Sequence, residues 1–250
     1  MKLYGLIGFP LGHSFSAKFF TEKFSREGID AQYQNFELSD VGQIMELLAE
    51  VPDVNGLNVT IPYKEQIMPY LTSVSDDAKM IGAVNVIKII HNDKGDITGL
   101  EGFNSDCPAF VNTLKKLLPE EPINALVLGT GGASKAVQVG LLNLDIPFTV
   151  VSRNSLKGAF TYEDLTAEII AQHRLIVNTT PLGMFPNVNA CPSIPYEAIT
   201  DKHICYDIVY NPVETLFLNK AKARGAKIQN GLEMLHEQAL ISWQIWNNKC

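Results

Sequence analysis

The chain has 250 residues, 46% of them hydrophobic and 19% charged, with a formal net charge of −7. That length and composition suit one large globular domain or two small ones. The acidic balance disfavours nucleic acid and anionic membranes as partners, which leaves small molecules.

Residues 3–7 form a short apolar run that Gly8, Phe9 and Pro10 end. The same breakers make it too short for a signal segment, and no stretch approaches the ~18 apolar residues of a membrane span, so a cytoplasmic protein is expected. Phe19, Phe20, Lys23 and Phe24 recur at helical spacing within 17–26, with Ser14 or Ser16 as the cap. Residues 32–37 alternate as a strand does. Val41, Ile44, Met45 and Leu48 predict an amphipathic helix capped by Ser39. A buried strand over 54–60 is stopped by Pro62, and strands over 84–90 and 97–102 flank Asn92-Asp93-Lys94-Gly95 as a hairpin.

A second run begins at 107. Phe110, Leu114, Leu117 and Leu118 mark a helix that ends near Pro119. A strand over 123–128, a glycine loop and a helix through 144 follow. Further strands are expected at 147–151, 175–177 and 204–208, then helices over 216–224 and from about 232 to 246. Alternation of strands and helices predicts an α/β protein with largely parallel sheets. The cysteines at 107, 191, 205 and 250 form no Cys-x-x-Cys pair and stand in no histidine cluster. Reduced thiols are therefore expected, with neither a zinc site nor a disulfide framework.

Leu126-Val127-Leu128-Gly129-Thr130-Gly131-Gly132-Ala133-Ser134 runs from strand through glycine loop to helix. Gly129 permits the tight turn, Gly131 lets backbone approach a pyrophosphate, and Ser134 is the small residue where helix meets strand. The phosphates would lie at the positive helix N-terminus. The next strand ends Val150-Val151-Ser152-Arg153-Asn154, without the acid that binds the ribose 2′-hydroxyl of NAD. An arginine there suits the 2′-phosphate of NADP; a solvated loop arginine is the plainer reading.

Four other places bear candidate chemistry. Asn58-Val59-Thr60-Ile61-Pro62-Tyr63-Lys64 joins a buried strand to an expected helix with Pro62 in its first turn. Lys64 would then sit at the positive end of the dipole, which suits a proton carrier; a surface lysine is the alternative. Asp106 ends Gly102-Phe103-Asn104-Ser105-Asp106, either as helix N-cap or as a substrate ligand. Ser14 and Ser16 are caps or ligands in a strand-end loop. Asn85 is a polar residue among apolar ones, a ligand or a buried structural amide.

Assembled in order, these segments resemble the shikimate dehydrogenase family over nearly the whole length. The matching stretches are Gly12-His13-Ser14-Phe15-Ser16, Asn58-Val59-Thr60 with Pro62 and Lys64, Gly82-Ala83-Val84-Asn85, and Asn104-Ser105-Asp106. They continue with Gly129 to Ala133, Asn178 to Met184, Asp207 to Pro212, and Gly231 through Met234-Leu235 to Gln238-Ala239. Departures are Ser105 and Val86 where threonine is usual, Cys107-Pro108, and Ser152 where asparagine is usual.

The resemblance implies two α/β domains with a cleft between them. A substrate domain with a mainly parallel sheet would span 1–106, and a Rossmann-like NADP domain 107–231, the helix from 232 to 250 packing back on the first. It implies that Ser14, Ser16 and Tyr210 hold the substrate carboxylate and that Thr60, Asn85, Asp106 and Gln238 bind ring hydroxyls. Lys64 and Asp106 would carry the proton chemistry. Gly129, Gly131, Gly132, Ala133, Ser152, Arg153, Thr179, Met184 and Gly231 would serve the cofactor. The expected activity is NADP-dependent reduction of 3-dehydroshikimate, by a monomer or homodimer and without a metal. An NAD-dependent quinate/shikimate dehydrogenase, and a non-catalytic metabolite-binding regulator of the same fold, are the alternatives.

Overall fold

The computed structural model describes residues 1–12, 15–154 and 156–248. The chain divides into two compact units, Met1–Ser105 with Gln238–Cys250, and Asp106–Glu237.

In chain order the first unit contains β1 (Lys2–Gly8), α1 (Phe15–Glu27), β2 (Ala31–Glu37), α2 (Ile44–Glu50), β3 (Val54–Val59), β4 (Ser73–Val74), α3 (Asp76–Ile81), β5 (Val86–His91) and β6 (Ile97–Phe103). The strands form one sheet in the order β2-β1-β3-β5-β6-β4. β1 pairs in parallel with β2 and β3, whereas β5 runs antiparallel to both of its neighbours. Strand periodicity sends alternate side chains to opposite faces. Ile7, Leu57, Val59 and Ile87 pack on one face against Ile44, Leu47 and Leu48. Tyr4, Leu6 and Val86 face the other side, with Phe20, Phe24, Tyr33, Ile245 and Trp246.

The second unit contains α4 (Asp106–Lys115), β7 (Ala125–Leu128), α5 (Gly132–Leu142), β8 (Phe148–Val151), α6 (Ala167–Gln172), β9 (Leu175–Asn178), β10 (Ile204–Asp207), α7 (Leu216–Lys222) and β11 (Lys227–Gln229). Its five strands are ordered β11-β10-β9-β7-β8, and every pairing is parallel. Buried on both faces, the strands read as continuous apolar runs such as Ala-Leu-Val-Leu in β7. The last helix, α8 (Leu232–Trp246), carries the aromatic residues that close the first unit. Trp246 stacks on Tyr4 at 4.7 Å between centroids and donates its indole N–H to the Ile87 carbonyl. A Cβ on Gly56 would lie 2.4 Å from the Trp246 ring, so only glycine admits this helix against β3.

Three local expectations need correction. Residues 62–67 form no α-helix: the chain makes turns and then a short 3-10 turn over Met68–Tyr70. Pro69 has no N–H to return to Glu65, so a helix begun at Pro62 cannot propagate through it. Lys64 therefore meets no helix dipole. The cap before Val41 is Asp40, not Ser39: its carboxylate accepts from Gly42 N, and Gln43 completes a capping box. The first helix starts at Phe15, which places Ser16 in its first turn. Among the described residues no helix is long and apolar enough to cross a membrane.

Candidate active site

The ends of the central strands of the first unit gather most of the polar residues singled out in the sequence. β1 and β3 run in parallel, with Ile7 opposite Val59, and Thr60 N donates to the Ile7 carbonyl at 2.9 Å. Because β5 opposes β3 with Val86 opposite Asn58, Asn85 arrives beside Val59, whose N–H it receives. Val86 also faces Phe103 of β6, which brings Asn104 and Ser105 to the same edge. The Lys64 carbonyl accepts from Val84 N at 2.7 Å, fastening the turn that carries Lys64 to the strand entering Asn85. This is the C-terminal edge of the parallel strands, where open α/β sheets bind ligands.

Asn85 is 2% exposed, and its amide is held from both ends. Oδ1 accepts from Ser105 N at 2.7 Å, and Nδ2 donates to Ser105 Oγ at 3.0 Å. One Nδ2 hydrogen remains beyond that bond. Thr60, Lys64, Ser16 and Gln238 are half-buried. Ser14 lies outside the described residues. Asp106 is buried as the first residue of α4, and so stands inside the helix rather than ahead of it. It belongs to the second unit, as does Tyr210, which is partly exposed.

The second locus surrounds the glycine loop. Gly129 follows β7 at φ 111°, a conformation that L side chains rarely adopt, and a Cβ there would come within 2.8 Å of Thr179 Oγ1. Ser134 is fully buried and donates to the Gly129 carbonyl at 2.7 Å, locking the loop to the first turn of α5. Thr179 donates through both N and Oγ1 to the Leu128 carbonyl. These constraints shape a cavity of about 720 Å³ lined by Gly129, Thr130, Gly131, Ser152, Arg153, Asn154 and, across it, Thr179. Of the expected cofactor residues, Gly132, Ala133, Met184 and Gly231 do not line it. Gly132 opens α5; Met184 lines a neighbouring groove with Phe185 and Pro186. A Cβ on Gly231 would meet the Ile208 carbonyl at 2.0 Å, which gives that glycine a packing role.

Sequence reasoning passed over Lys157 and Tyr162, which line the same cavity. A second cation in the Arg153 loop was the available signal for Lys157; Tyr162 carried none. Burial raises the Tyr162 phenol above its ordinary pKa, and the Arg153 charge opposes that shift. No acidic residue is among those lining the cavity, so its charge is positive. Behind it, Asn178 Oδ1 receives both the N–H and the hydroxyl of Thr180, while Asn178 Nδ2 donates to the buried Asp207. No cluster of three or more His, Cys, Asp or Glu suited to a metal occurs among the described residues.

A parallel sheet with a glycine loop and a cationic, acid-free cavity defines a dinucleotide-binding α/β protein. Its companion unit offers amide, hydroxyl and ammonium groups suited to a small polar substrate. The family model for the shikimate dehydrogenase substrate binding domain matches residues 6–87. The NADP(+) shikimate dehydrogenase of Carboxydothermus hydrogenoformans is 34% identical, covering 98% of this chain and 91% of its own. That of Bacillus subtilis is 33% identical, with 99% and 92% covered. The crystal structure of Thermus thermophilus shikimate 5-dehydrogenase in complex with NADP(H) and shikimate superimposes with a TM-score of 0.86 at 32% identity, covering 99% of this chain and 94% of that one. The chain belongs to the shikimate dehydrogenase family.

Proposed function

We propose that this chain is an NADP-dependent oxidoreductase that interconverts 3-dehydroshikimate and shikimate, a step of the shikimate pathway to aromatic amino acids. The observation that carries the reading is an acid-free nucleotide cavity bearing Arg153 and Lys157, in a chain alike over its whole length to NADP-dependent shikimate dehydrogenases. The cavity fits the cofactor: Gly129 and Gly131 clear backbone for the pyrophosphate at the start of α5, and the two cations suit a 2′-phosphate. The same cations argue against the NAD-dependent quinate/shikimate reading. Retention of both Lys64 and Asp106 argues against a non-catalytic regulator. A small-molecule substrate, a monomeric or homodimeric assembly, no nucleic-acid or membrane partner and a cytoplasmic location complete the proposal.

NADP held by Gly129, Gly131, Ser152 and Arg153 would supply or take up the hydride at the substrate ring carbon. As that carbon is reduced, negative charge builds on its oxygen. Lys64 would stabilise that charge and give the oxygen a proton, and Asp106 would share the proton chemistry; oxidation reverses the transfer. Ser14, Ser16 and Tyr210 take the carboxylate of the substrate. Thr60, Asn85, Asp106 and Gln238 take its hydroxyls, Asn85 through the Nδ2 hydrogen that Ser105 leaves over.

Lys64→Ala tests the assignment. We expect kcat to fall by at least ~10²-fold with the fold intact and the KM for shikimate changed less. Asp106→Asn should also lower kcat, and the double variant should lose less than the two single losses combined, since the groups act as a unit. An unchanged kcat in folded Lys64→Ala protein contradicts the mechanism.

A further inference from the structure

The polar residues behind the substrate edge form a directed hydrogen-bond system that meets at one hydroxyl. Tyr33 Oη donates to Asn58 Oδ1 at 2.9 Å. Asn58 Nδ2 has two hydrogens, one for the Asn85 carbonyl at 3.3 Å and one for Ser242 Oγ at 2.9 Å. Ser242 Oγ donates to the Gln238 carbonyl, one turn back on α8, at 2.8 Å. With its only hydrogen so committed, Ser242 must be the acceptor in its 3.2 Å contact with Ser105 Oγ. Ser105 therefore points its hydrogen at Ser242 and turns a lone pair to Asn85 Nδ2. Asn58, Asn85, Ser105 and Ser242 are all buried, the two serines at 0% exposure.

Donor accounting thus makes Ser242 the junction of the system. It receives the chain that starts at Tyr33 and the branch that starts at Asn85, and it ends both on the backbone of Gln238. Asn85 and Gln238 are both expected to touch substrate. We propose that Ser242 is a positioning residue of the substrate site, fixing the Ser105 hydroxyl so that the Asn85 amide presents its remaining N–H to a ring hydroxyl of shikimate. The inference rests on the assignment of Asn85 to the substrate made above. Removing the Ser242 hydroxyl frees the Ser105 hydrogen to rotate toward Asn85 Nδ2, where two donors would face each other, and leaves an Asn58 hydrogen without its acceptor. An unmade buried bond of this sort costs enough to weaken binding roughly tenfold.

Steady-state kinetics of Ser242→Ala, Ser105→Ala and the double variant decide the matter, with shikimate and NADP⁺ varied separately. Each single variant is expected to raise the KM for shikimate roughly tenfold. The double variant should be no worse than either, because both hydroxyls serve one orientation. The KM for NADP⁺ and kcat should stay within about twofold, which a general loosening of the fold would not allow. Should Ser242→Ala not fold, Ser242→Cys keeps the side-chain size with a weaker donor and acceptor, and a raised shikimate KM is expected there too. An unchanged shikimate KM, equal effects on both substrates, or strictly additive effects overturn the role of Ser242. A wild-type enzyme that does not oxidise shikimate overturns the functional reading itself, and that outcome is seen before any variant is made.

Discussion

Asp207 is a fully buried carboxyl at the end of β10, and replacing it with asparagine should change how stability depends on pH. Its Oδ1 accepts from Asn178 Nδ2 and Val209 N, both at 3.0 Å, and its Oδ2 from Thr215 Oγ1 at 2.6 Å. Burial is the dominant influence and raises its pKa from 3.8 to about 6, against the pull of those hydrogen bonds. The folded protein therefore holds this proton more tightly than the unfolded chain does. The resulting stabilisation is fully present below the unfolded value and is lost as pH rises through about 6. Two pK units correspond to roughly 3 kcal/mol. Asp207→Asn carries no titrating proton. Its amide oxygen can accept from Asn178 and Val209, while its nitrogen can donate to Thr215 Oγ1. Urea unfolding of both proteins between about pH 4 and 7 measures the difference, since every other titration is common to the two. Wild type should gain on the variant by roughly 2–3 kcal/mol as pH falls across that range. A difference that stays constant with pH would show that Asp207 holds no proton more tightly in the folded protein. Because Asn178 also anchors Thr180 beside the nucleotide cavity, NADP⁺ affinity should follow the same substitution.

Two further predictions concern the cavity. Arg153→Ala should weaken NADP⁺ binding by roughly 1.5–3 kcal/mol and leave NAD⁺ binding nearly unchanged, since the 2′-phosphate alone distinguishes the ligands; isothermal titration with each cofactor measures it, and equal losses would make the arginine a loop residue only. Gly129→Ala should cost on the order of 1–3 kcal/mol of stability and weaken both cofactors, because a side chain at φ 111° is strained and would press on Thr179; thermal melting and cofactor titration together report it.

Much of this was legible in the sequence because each signal was local. The glycine loop announces itself by a buried strand, small residues and a helix in immediate succession, and the structure gathers Gly129, Gly131, Ser152, Arg153 and Thr179 around one cavity. The hairpin around Asn92 is equally local: Asn92 Oδ1 accepts from Lys94 N and Asp96 N, and Gly95 takes a positive φ. Misreadings arose where Pro62 was taken to open a helix that Pro69 does not let continue, or where two polar neighbours competed for one cap, as with Ser39 and Asp40. The short α3 and α6, six residues each, are too brief to show a helical period. The system centred on Ser242 was invisible because its members lie at 33, 58, 85, 105 and 242, joined only by register and by the seating of α8 against Gly56. Tyr162 was missed for the same reason: only the fold brings it opposite the glycine loop.

The rates of the purified protein with four pairings, shikimate or quinate with NADP⁺ or NAD⁺, followed by the absorbance of the reduced nicotinamide, decide the substrate and the cofactor. kcat/KM should be highest for shikimate with NADP⁺ by at least about tenfold over any other pairing, the margin expected of one charge-assisted contact. Equal or faster turnover of quinate with NAD⁺, or no turnover of shikimate with NADP⁺, would contradict this assignment.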